Sequence, residues 1–194
     1  MSSAPDARAG RPRVSSRETL AEAACELFLE QGYDATSVAD ITRRAGVSRS
    51  SFFNYFASKS DLLWGAFDER LDAAVAALGA GSQPVRRILA AIGDGFAPDS
   101  LALAIANADT MRLADELERE RAVRLARLAR AIAERGRRDG AAPLIAEVHG
   151  AAAAGAVLAA VWAWAHAGAG RATLAPVLGE ALDAVPGLAR GSAR

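Results

Sequence analysis

The chain has few of the residues from which a disulfide-stapled domain or a metal enzyme is built. Its 194 residues include one cysteine, Cys25, and two histidines, His149 and His166. One cysteine excludes an intramolecular disulfide framework. Cys25 lies beside the apolar stripe of a predicted first helix and reads as a small packing residue rather than a redox sensor. Neither histidine has Asp, Glu or Cys at ligand spacing, so no metal site is expected. The chain shows no Gly-x-Ser-x-Gly elbow, P-loop, His-Glu-x-x-His pair or paired cysteines, so neither catalysis nor a cofactor is expected. Net charge is lacking too, with 23 Lys and Arg against 23 Asp and Glu. The first ten residues have no apolar stretch of the kind a secretory signal carries, and a cytoplasmic location is expected. Strand-like alternation and internal repeats are absent.

Apolar residues make up 52% of the chain, enough to bury a core in one or two domains. One apolar run, Gly150 to Gly170, is long enough to cross a bilayer. Alanine and glycine dominate it, and His166 lies inside it, a composition that disfavours insertion. Ala151, Gly155 and Ala159 recur every fourth residue, so a tightly packed helix at a subunit interface is expected instead.

The most specific stretch is Ser37–Phe56. Val38, Ile41 and Ala45 share one helical face, and Ser37 with Asp40 forms a capping-box start. Gly46 supplies the left-handed conformation that ends a helix. Ser48 then caps a second helix, and Val47 and Phe52 staple its start. Phe52 and Phe56 face a core, leaving Arg49, Ser50, Ser51 and Asn54 outward. This is the pattern of a helix-turn-helix, whose second helix enters the DNA major groove. A neutral chain lacks the basic balance expected of a nucleic-acid binder, but placement sets the field. Arg43, Arg44, Arg49 and Lys59 cluster around the turn against only Asp40, and Arg8, Arg11 and Arg13 form a basic arm at residues 1–13.

Upstream, Leu20, Ala23, Ala24, Leu27 and Phe28 mark a helix with one buried stripe, capped by Ser15 and Glu18 and followed by Gly32. Downstream, Ser58 to Asp61 is a second capping box, opening a helix that carries Leu62, Leu63, Phe67 and Leu71. With Leu27-Phe28, Gly32-Tyr33, Thr36, Val38, Ile41, Ala45-Gly46-Val47-Ser48, Phe52, Tyr55-Phe56, Lys59 and Leu62 in register, residues 14 to 74 resemble the tetracycline-repressor (TetR) family of bacterial transcription regulators. Thr42 stands where the family usually has alanine. Phe53 stands where it usually has a tyrosine that touches a phosphate.

The resemblance implies a helix-turn-helix DNA-binding domain over residues 14–74, with the motif at 37–56. Residues 75–194 would form a helical ligand-binding and dimerisation domain. The expected function is a ligand-responsive, sequence-specific transcriptional regulator, a repressor released from a near-palindromic operator by a small molecule. The alternative is a helical dimer that acts through a protein partner without specific DNA binding. Arg49, Ser50, Ser51 and Asn54 are the candidates for base edges, since Arg suits guanine and Asn suits adenine. Thr36, Arg44, Ser48, Tyr55 and Lys59 are the candidates for phosphates.

The expected fold is all-α, with about nine helices. The fourth ends at Gly79 to Gly81. A fifth carries Val85, Ile88, Leu89, Ile92 and Phe96, and residues 97–100 break it. A short helix over 101–108 leads to a long one over 110–135, closed by Gly136 and Gly140. Pro143 opens a helix to residue 167, ended by Gly168 and Gly170, and a last helix spans 173–184. The last two helices, with Leu174, Val177, Leu178, Leu182 and Val185, are the expected homodimer contact. Phe96, Met111, Arg121, His149 and Trp164 are the candidate pocket residues. Arg121 falls inside the apolar stripe of the long helix by phase. Either this part of the helix faces solvent, or Arg121 pairs with a nearby carboxylate such as Glu116 or Glu120, or it reaches an anionic ligand. Trp162 follows the small-residue face.

Overall fold

The computed structural model describes residues 16–96, 100–168 and 173–188. The basic arm, the cap at Ser15, the expected break at 97–99 and Gly170 lie outside them. Nine α-helices run through the described residues, and no strand is among them. α1 spans Ser16–Gln31, α2 Val38–Ala45 and α3 Arg49–Phe53. α4 spans Asp61–Ala80, α5 Val85–Ala90 and α6 Ser100–Ala106. α7 spans Ala114–Arg138, α8 Pro143–His166 and α9 Leu174–Asp183.

The first three helices close around an aromatic centre. Leu20, Ala24 and Phe28 of α1, Ile41 of α2 and Phe52 of α3 are fully buried. Gly32 (φ 90°) turns the chain out of α1. Cys25 packs inside at 5% exposure. The box predicted at the start of α4 forms only in part: Ser58 Oγ accepts from the Asp61 amide at 3.3 Å, but the Asp61 carboxylate accepts from the Ala57 amide at 2.8 Å, and Ser60 is the N-cap. α4 then runs unbroken past residue 74, so one rigid helix belongs to both the N-terminal bundle and the helices that follow.

Behind α4, α7 lies along α8, and α8 along α9. Gly150 permits the closest of these approaches. A Cβ there would stand 2.5 Å from the Ala129 carbonyl oxygen of α7. Three expectations need correction. Gly136 does not close α7: it lies inside the helix, where a Cβ would make only ordinary contact with Ala146 of α8 at 3.4 Å. The helix continues to Arg138, and the turn falls at Gly140, with φ 94°. The fifth helix does not reach Phe96 intact, since α5 gives way to a 3-10 turn at Ala91–Gly93. Leu174, Leu178 and Leu182 of α9, with Val185 beyond it, are buried within the subunit against α8, α5 and the 3-10 turn. These four therefore cannot be the dimer contact, and of that set only Val177 stays partly open.

α8 is long and apolar enough to cross a membrane by length and composition. Its Ala146, Ala153, Ala154, Val157, Val161 and Trp164 are buried. On its other side Leu144 (72% exposed), Val148, Ala151, Ala152, Ala159 and Ala163 are uncovered.

Candidate nucleic-acid interface

Local chemistry builds α2, the turn and α3 as the sequence predicts. Ser37 Oγ accepts from the Asp40 amide at 3.1 Å, and Asp40 accepts from the Ser37 amide at 3.0 Å. The Ser37 hydroxyl, donating to the carboxylate at 2.5 Å, then the Ser37 amide and Arg43, hold the Asp40 carboxyl below its ordinary range. Gly46 sits at φ 69° and closes α2. Ser48 caps α3 by accepting from the Ser51 amide at 3.1 Å. Val47 is packed against the core between the two helices.

Phe52 (0% exposed) and Phe56 (4%) anchor α3 from below, their rings 5.6 Å apart. Arg49, Ser50 and Asn54 are exposed, Ser51 is half-buried, and Tyr55 is 48% exposed. Ser48 Oγ lies 2.8 Å from the hydroxyls of both Ser50 and Ser51, so the three serines form one hydroxyl cluster at the start of α3. α3 is one and a half turns long and ends before Asn54, which forms its C-cap.

Two of the expected phosphate residues face inward. Thr36 is 1% exposed, and its hydroxyl donates to the Gly32 carbonyl at 2.8 Å, so it closes the loop after α1 instead of meeting DNA. Lys59 donates through Nζ to the Tyr33 and Thr36 carbonyls, each at 2.8 Å, and lies over the Tyr33 ring. Burial pushes its ammonium below the ordinary lysine value, against the pull of Asp34 and Glu116. Lys59 is a clamp between the α1–α2 loop and α4. Arg44 stays on the surface but is shared between Glu26 at 3.1 Å and Glu30 at 2.6 Å on α1. Two further exposed side chains, neither among the expected DNA contacts, stand on this surface. Arg43 is 75% exposed beside Asp40. Phe53 is 51% exposed on the same side as Arg49. The signal for Phe53 was its phase, four residues after Arg49.

With this geometry, residues 20–64 match the family described as bacterial regulatory proteins, tetR family. The chain carries a TetR-family N-terminal domain. Over 66 residues it is 39% identical to the putative mycofactocin biosynthesis transcriptional regulator MftR of Mycobacterium tuberculosis, covering 34% of this chain and 33% of that one. Over 112 residues it is 34% identical to the HTH-type transcriptional regulator BetI of Rhizobium meliloti, covering 53% and 55%. The chain thus spans from about a third to about half the length of these curated relatives. Among solved structures, the fatty acid degradation regulator FadR from Bacillus halodurans aligns with a TM-score of 0.50 at 18% identity, covering 84% of this chain and 94% of that one. This likeness carries the all-helical fold.

Outside the TetR-family domain, the five pocket candidates are not brought to one cavity. Phe96 and Trp164 are buried and meet edge to face, ring centroids 5.3 Å apart, as core. Met111 is fully buried, its carbonyl accepting from the Tyr33 amide at 2.8 Å. Arg121 lies 4.6 Å from the Trp162 ring centroid and pairs with Glu118 at 3.2 Å, on its own helix. His149 lines a cavity of about 100 Å³ with Ile132 and Leu188. The roomier space is an open cleft of about 520 Å³ between α4 and the α5 segment. Ala73, Ala77, Ile88 and Ile92 line it, with Arg70 at its rim. None of the five lines that cleft.

Proposed function

We propose that the chain is a homodimeric, ligand-responsive, sequence-specific DNA-binding regulator of transcription, acting as a repressor. One observation carries this reading: Arg49 on α3 and Asn54 at its C-cap stay exposed while Phe52 and, just beyond the helix, Phe56 are locked in the core. A short helix held from behind and polar in front suits insertion into a major groove. Arg49 would take guanine and Asn54 adenine. Ser48, Tyr55, Arg43 and Arg44 would hold phosphates, Arg44 after leaving its glutamates. The regulators and repressors among the relatives support the same reading.

A dimer would present two such helices to one face of duplex DNA and would require a near-palindromic operator. The uncovered small-residue face of α8 is the surface proposed for that pairing. A small molecule lodged between α4 and α5 would tilt α4 and change the spacing of the reading heads, because α4 continues straight from the DNA-binding bundle. A cytoplasmic, non-enzymatic protein follows from this role.

Selection of bound duplexes from a random pool, followed by mobility shift, tests the proposal. Wild type should enrich one near-palindrome, and Arg49→Ala should lose about 1–3 kcal/mol and relax preference at one position per half-site. No enrichment would favour a helical dimer acting through a protein partner.

A further inference from the structure

α3 presents one large side chain that the reading above leaves without a task. Phe53 is 51% exposed, although a phenyl ring gains nothing from water. It meets the buried Phe52 edge to face at 5.2 Å. Its open side carries the Arg49 guanidinium, 5.9 Å from the ring centroid. The candidate guanine reader and this ring therefore lie side by side on the outward face.

A phenyl ring has no hydrogen-bond donor and cannot hold a phosphate. In the major groove the apolar group on a base edge is the 5-methyl of thymine. Arg49 and Phe53 are separated by one helical turn, a rise of about 6 Å, against a base step of about 3.4 Å. We propose that Phe53 reads sequence, its ring seated on the methyl group of a thymine within about two base pairs of the guanine bound by Arg49. Docking covers the ring, and only a base carrying that methyl fills the space against it. This rests on the DNA-binding reading of α3 and adds to it the identity of one base.

The test uses the full chain and the duplex enriched from a random pool. Each thymine of a half-site is replaced in turn by deoxyuridine, which lacks only the methyl. At one thymine the replacement should weaken wild-type binding about fourfold, the worth of one buried methyl. In Phe53→Ala, thymine and deoxyuridine at that position should bind alike. In Phe53→Leu part of the discrimination should return. An enriched duplex in which every thymine tolerates uracil overturns this assignment and leaves the regulator reading standing. Discrimination that persists in Phe53→Ala also overturns it, by placing the methyl against another residue. A pool that yields no enriched duplex overturns both.

Discussion

Lys59 donates through Nζ to the Tyr33 carbonyl at 2.8 Å and lies 4.1 Å from the centroid of the same residue's ring. One ammonium thus ties the loop before α2 to the start of α4, with the Thr36 carbonyl as its second acceptor. The reading head and the helix that would move it are joined at this point.

Replacing Lys59 tests whether it serves the fold or the phosphate backbone. Lys59→Met takes the ammonium from the Thr36 carbonyl and leaves the Tyr33 carbonyl only the Thr36 amide, so stability should fall by about 1–3 kcal/mol in urea unfolding. Whatever DNA affinity remains should keep the salt dependence of wild type, because no phosphate contact is lost. A slope of log K against log salt shallower by about one would return Lys59 to the DNA surface.

Tyr33 should make stability fall in alkali. Burial, and then the charge of Glu116 at its hydroxyl (3.4 Å), push the phenol above its ordinary value of 10.0. Between the ordinary and the raised value the unfolded chain has lost a proton that the folded chain keeps. The unfolded state then binds fewer protons, so stability drops as pH rises past about 10. Urea midpoints on either side of that pH should diverge in wild type and draw together in Tyr33→Phe.

Arg124 binds α7 to α4 through a two-pronged contact with Asp68, at 2.7 and 2.5 Å. It also pairs with Glu120 and lies 4.0 Å from the Trp64 ring centroid. Removing one partner of a buried pair costs roughly 3–5 kcal/mol. Asp68 keeps 31% of its side chain exposed, so Arg124→Ala should fall at the low end of that range. Denaturant titration followed by tryptophan emission reads both the loss and the altered surroundings of Trp64.

The open face of α8 predicts the assembly. Ala159→Glu places a carboxylate on an exposed position of the proposed seam while leaving the subunit core untouched. Sedimentation velocity should show wild-type dimers and mutant monomers of unchanged helical content. Dimers persisting in the mutant would move the interface off this face.

Much of the N-terminal region was legible because its instructions are short-range. Ser37 and Asp40 find each other across three residues, Gly46 turns alone, and Phe52 and Phe56 share a face by helical phase. The pocket was not legible. Phe96 and Trp164 satisfy each other as core, and apolar phase cannot separate a residue that lines a cavity from one that fills it. Gly136 misled for a related reason, since a glycine inside a helix reads the same as one that ends it.

The chain's letters alone determined how α2 and α3 start, where α2 stops, and which side of α3 faces outward, since these follow from hydrogen bonds and periodicity within a few residues. Tertiary structure decided which cations remain free for a phosphate. Lys59 is spent on a loop 26 residues away, and Arg124 on a carboxylate 56 residues away. A charge's partner depends on which helices lie side by side, and no local rule contains that.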